Sequence, residues 1–103
     1  MFDFKNDIVW VTGSASGIGT ATALMFAEHG ADVVVHGLNQ PEAAAEVAEK
    51  ITAMGRRAIT VDGDLTDSSA VKRMVSEIES GLGGLSVLVN CAGGSPKRNA
   101  PVW

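Results

Sequence analysis

Three glycines, Gly13, Gly17 and Gly19, stand between an apolar run at residues 8–12 and the start of a helical pattern. That arrangement is suited to holding an anion. The first N–H groups of a helix have no intrahelical acceptor, and the aligned peptide dipoles leave partial positive charge at the same end. Gly13 lets the chain turn off a strand without a Cβ clash, Gly17 lets bare backbone approach a diphosphate, and Gly19 lets the new helix lie close to the sheet. The candidate anion-holding residues are therefore Gly13, Ser14, Ser16, Gly17, Ile18 and Gly19. A glycine turn alone can equally serve tight strand–helix packing with no ligand, so the surrounding elements must decide.

Those elements alternate. Residues 8–12 read as a strand that is apolar on both faces, as a central parallel strand should be, with Trp10 as a core residue. Residues 17–29 read as a helix with a small-residue face (Gly19, Ala23, Phe26, Ala27) and Gly30 at its end. Residues 31–36 are a β-branched strand, and 37–40 a turn. Pro41 opens a helix over about 42–54, with a stripe of Ala44, Val47, Ala48, Ile51 and Met54, stopped by Gly55. Residues 58–61 are a short strand. Thr66 is the expected N-cap of a third helix over about 67–80, striped by Val71, Met74, Val75, Ile78 and Leu82 and broken by Gly81, Gly83 and Gly84. Residues 85–90 form the fourth strand, and 95–103 a loop.

A βαβαβαβ order with short connections predicts a doubly wound α/β parallel sheet, helices on both faces, strand order 3-2-1-4. The glycine turn and the loops at Gly37, Asp64 and Asn90 then emerge at one edge of the sheet, in the crevice between the first and fourth strands. Residues 1–94 form this unit.

The chain has 103 residues, 46% apolar and 19% charged, a globular composition. Net charge is −4 with no basic stripe, which argues against nucleic acid as a partner. No run is long enough for a membrane span. The lone cysteine, Cys91, fits a reducing compartment and packing rather than reactivity, and the expected location is the cytoplasm.

Three segments carry a family likeness. Thr12 to Gly19 resembles the T-G-x-x-x-G-I-G motif of the short-chain dehydrogenase/reductase (SDR) family; Asp64-Leu65 is similar to its Asp-Val or Asp-Leu pair after the third strand; and Asn90-Cys91-Ala92-Gly93 is similar to its N-N-A-G. The resemblance implies a Rossmann-type fold that binds NAD or NADP. By that likeness Asp64 accepts from the adenine amino group, the Leu65 amide donates to a ring nitrogen, Asn90 ties the fourth strand to its neighbours and lines the cofactor, and Ala92 and Gly93 lie against the ribose.

The sequence departs from the family pattern in three places. Cys91 replaces the second Asn of N-N-A-G, read here as a packing substitution. The segment His36-Gly37-Leu38-Asn39 carries neither the acid that binds an NAD ribose nor an arginine for the NADP phosphate; the absence of an acid leans slightly to NADP, with Asn39 and Ser14 as hydrogen-bond donors. The chain contains no tyrosine, whereas the family's proton transfer rests on Tyr-x-x-x-Lys and a Ser. The resemblance therefore implies the cofactor-binding half of an oxidoreductase that moves hydride between a nicotinamide and an alcohol–carbonyl pair, truncated relative to the family, inactive alone and with no catalytic residue or metal of its own. The alternatives are a non-catalytic dinucleotide-binding module, or a chain that only oligomerises through an unpaired fourth strand; a homo-oligomer is expected in either case.

Overall fold

The computed structural model describes residues 3–91. Ala92, Gly93 and the loop at 95–103 lie outside them. The elements are β1 (Ile8–Thr12), α1 (Gly17–Glu28), β2 (Asp32–Gly37), α2 (Pro41–Ala53), β3 (Ala58–Asp62), α3 (Ser68–Leu82) and β4 (Val87–Asn90). All pairings are parallel, in the order β3-β2-β1-β4 that the alternation of elements predicts.

Side chains alternate across a strand, so β1 and β2 feed two cores at once. Val9, Val11, Val33 and Val35 face α1 and α2 and pack with Ala23, Ala27, Ala44, Val47 and Ile51. Trp10, Val34 and Val61 face the other way and pack with Met74, Ile78 and Leu82 of α3. Each fully buried Val or Ile side chain contributes about 1.5–3 kcal/mol. The alanines of α1 are as informative as the valines beneath them, because a small face brings the helix axis close to the sheet.

The structure corrects the sequence reading at four places. The N-cap of α3 is Asp67, not Thr66: its carboxylate accepts from the amides of Ser69 and Ala70. Thr66 is instead drawn back toward Asp64, its amide and hydroxyl both donating to Asp64 Oδ1. Gly81 lies inside α3 rather than breaking it. A Cβ there would stand 3.1 Å from Ile59 Cγ2, so the glycine lets the helix cross β3. The strand expected from residue 85 begins at Val87; just before it the Ser86 amide still donates to the Ile8 carbonyl, while Ser86 Oγ accepts the Ile8 amide and donates to Asp7. Met54 and Val75, assigned to apolar stripes, are exposed at the margins of theirs.

Strands β3 and β4 form the two edges of the sheet, and Leu88 on β4 is 59% exposed. No helix among the described residues is long and apolar enough to cross a membrane.

Asp67→Ala is expected to lower stability by about 0.5–2 kcal/mol in urea denaturation, whereas Thr66→Ala should leave the α3 cap intact and change stability by less.

Candidate functional site

The carboxyl ends of the four strands open into one cavity of about 780 Å³, within the usual range for a small-molecule site. It is lined from β1 by Gly13, from the start of α1 by Ser16, Gly17, Ile18 and Gly19, from the β2–α2 turn by Leu38 and Gln40, from the β3–α3 loop by Asp64 and Leu65, and from β4 by Asn90 and Cys91. Four segments far apart in sequence thus meet at one edge, as the loop placement predicts.

The glycine turn is shaped by backbone contact. A Cβ on Gly19 would stand 2.1 Å from the Gly13 carbonyl oxygen and 2.8 Å from Ser14 Cα, so only a residue without a side chain allows α1 to sit on the turn. Gly17 has φ +60, and nothing lies within 4 Å of where its Cβ would be. Bare backbone therefore faces open space at the cavity wall. Ser16, the N-cap of α1, makes no side-chain capping bond. The amides at this end have no acceptor within the helix.

Not every residue of the turn is available to a ligand. Ser14 is fully buried; its hydroxyl donates to the Val11 carbonyl at 2.6 Å and accepts from the His36 amide at 2.9 Å. The amides of Ser14 and Ala15 donate to the His36 carbonyl, and that of Gly13 to His36 Nδ1. Of the turn's N–H groups, those of the first turn of α1 are thus the ones not engaged by His36. Ile18 is 80% exposed and forms an apolar rim beside them.

On the opposite wall, the Asp64 carboxyl lies below the ordinary carboxylate value of 3.8, held there by the Thr66 hydroxyl and then by the Thr66 amide. Those bonds occupy Oδ1, leaving Oδ2 for a donor in the cavity. On β4, Asn90 is the register partner of Thr12 and accepts its hydroxyl at 2.9 Å, while the Thr12 oxygen accepts the Cys91 amide at 3.0 Å. Cys91 is half-buried and packs against the α1–α2 core.

Asn39 and Ser14 stand outside the cavity lining. Asn39 has φ 57, and its amide donates to Asp62 Oδ1, while the neighbouring Gln40 amide donates to Oδ2. The β2–α2 turn thus has an acid beneath it after all, contributed by β3 rather than by the turn itself.

Sequence reasoning missed His36, Thr12 and Asp62. A polar residue at or next to the end of a strand was the available signal for each. Among the described residues, no lysine or arginine lines the cavity.

The short chain dehydrogenase family profile matches residues 7–102. An uncharacterized oxidoreductase, YhxD, of Bacillus subtilis is 47% identical over 85 residues, 81% of this chain and 28% of that protein. The 3-oxoacyl-[acyl-carrier-protein] reductase FabG of Staphylococcus aureus is 41% identical over 83 residues, 81% of this chain and 34% of that one. Among solved structures, a short chain dehydrogenase from Burkholderia cenocepacia in complex with NADP superposes with a TM-score of 0.80 at 38% identity, covering 86% of this chain and 36% of that one. The chain spans roughly a third of the length of these relatives.

Gly19→Ala places a methyl group against backbone that cannot give, and should destabilise the chain by at least about 1–3 kcal/mol in urea denaturation. The Asp64 carboxyl should titrate below 3.8 by NMR and return toward it in Thr66→Val. Because the folded value is the depressed one, the bond to Thr66 stabilises the fold fully above 3.8 and is lost as pH falls through the folded value.

Proposed function

The chain belongs to the short-chain dehydrogenase family, and from that premise we propose that it forms the dinucleotide-holding part of a nicotinamide-dependent oxidoreductase. The observation that carries this reading is the start of α1: amides without helical acceptors, a bare backbone at Gly17, and an open cavity at the carboxyl ends of β1 and β4. The residues fit the group. The amides of Ser16 to Gly19 would hold the diphosphate, and Ile18 would cover it. Asp64 Oδ2 would accept from the adenine amino group, with the Leu65 amide donating to the ring. Asn90, fixed by Thr12, would line the ribose side, continued by Ala92 and Gly93. The turn residues Gly13 and Ser14 shape this cradle from behind.

When bound, the nicotinamide gives hydride to a carbonyl or takes it from an alcohol. The chain's own residues bind and orient; with no tyrosine in the sequence, none is assigned to proton transfer, and the chain alone should be inactive. We favour NADP slightly over NAD. No carboxylate of the β2–α2 turn itself awaits a ribose, and the Burkholderia relative was solved with NADP. The Asn39 amide is taken by Asp62, so only its side chain would be left to donate here. The half-buried Cys91 suits a reducing compartment, which we take to be the cytoplasm. The exposed Leu88 on the β4 edge favours self-association of the chain as a homo-oligomer.

Calorimetric titration with NADPH, NADH and ADP-ribose tests the proposal. ADP-ribose should bind nearly as well as NADH, since the contacts named here lie mostly on the ADP side, and NADPH somewhat more tightly. Equal affinity for all three without turnover would point to a binding module; no heat from any of them would overturn the reading.

A further inference from the structure

His36 is 3% exposed and uses every polar atom it has on the two walls of the cavity. Its Nδ1 accepts the Gly13 amide at 2.9 Å, and its Nε2 lies 2.8 Å from the Gly63 carbonyl oxygen. An amide N–H can only donate and a carbonyl can only accept, so Nδ1 must be bare and Nε2 must carry the hydrogen. One neutral tautomer satisfies both partners. The main chain of the same residue completes the grip: its carbonyl takes the amides of Ser14 and Ala15, and its amide donates to Ser14 Oγ. The Trp10 ring stands edge-on at 6.3 Å.

We propose that His36 is the positioning residue of the dinucleotide site and that it acts in its neutral Nε2–H form, bracing the Gly13 and Gly63 walls against each other. The inference rests on the dinucleotide-holding role proposed above. Gly13 begins the turn that aims the α1 amides, and Gly63 precedes Asp64 and Leu65 on the opposite wall. The imidazole therefore sets the spacing between the two walls from beneath. A proton on Nδ1 would face the Gly13 N–H donor to donor, and the turn would have to move away. The charged groups on the elements packed around the ring are Asp62 and Asp64, which flank Gly63, and Arg73 of α3, whose guanidinium donates to the Asp62 carbonyl and pairs with Glu77. Asp62 is already held by the amides of Asn39 and Gln40, and Asp64 by Thr66.

The test is the affinity of the full chain for ADP-ribose. His36→Gln offers one acceptor and one donor on a planar group and should bind within a few fold of the unaltered chain. His36→Leu, which can brace neither wall, should bind about tenfold or more weakly, the scale of losing a buried hydrogen bond. Equal losses in the two variants, or unchanged binding by His36→Leu, would overturn the proposal. Nitrogen NMR of His36 in the unaltered chain gives a ligand-free readout, with a bare Nδ1 and a protonated Nε2 expected. A protonated Nδ1 would overturn the proposal even if a variant failed to fold. Failure of ADP-ribose to bind would instead remove the dinucleotide reading, while the NMR result would still decide the role of His36 in the turn.

Discussion

The architecture turns on one contact that contains no side chain. At Gly19 the backbone of α1 comes down onto the carbonyl of Gly13, where a Cβ would stand at 2.1 Å. That approach places the helix start directly over the end of β1. It also explains the alanines further along: Ala23 and Ala27 are buried on Val9, Val11, Val33 and Val35 because the helix axis is already close. A helix held off by even one methyl group would lose both its aim at the cavity and the packing that fixes it. Close packing and ligand approach are therefore the same requirement here, not rival explanations of the glycines.

A second layer of order ties adjacent strand ends together through side chains. Thr12 joins β1 to β4 through Asn90 and the Cys91 amide. His36 joins the turns after β1 and β3. Asp62 reaches from β3 under the turn after β2 and takes the Asn39 and Gln40 amides. Each bond crosses to a strand neighbour in space, so the loops at this edge are held relative to one another rather than each to its own strand. At the opposite, amino-terminal edge, Asp32 does similar work, taking the Arg57 amide and its guanidinium. With Arg57 well exposed, that ion pair is of small energetic weight, whereas the satisfied bonds at the buried His36 and Ser14 would be costly to break.

These ties change how the glycine turn should be understood. A turn rich in glycine, read in isolation, offers every amide it contains to an anion. In the folded chain three of them, at Gly13, Ser14 and Ala15, are consumed by His36. What remains is the first turn of α1, whose N–H groups are left over by the geometry of every helix. The set of amides left open is smaller than the motif suggests, because those behind it are hydrogen-bonded to His36.

Much of the fold was legible in the residues. The doubly alternating valines of β1 and β2, the helical stripes, the glycine at the end of α1 and the short connections together determined a parallel 3-2-1-4 sheet, since period and connection length leave few other arrangements. The same reading located the cavity edge and most of its lining, because parallel strands must bring their carboxyl ends to one side. Local competition was not legible: whether Thr66 or Asp67 caps α3 depends on which of them Asp64 captures, and whether Gly81 ends a helix depends on Ile59 beneath it. Nor was the partner of Ser14, the tautomer of His36 or the acid under Asn39, since each joins residues 22 or more positions apart. Sequence periodicity records which face a side chain takes; which donor meets which acceptor across that face is settled only when the strands are laid side by side.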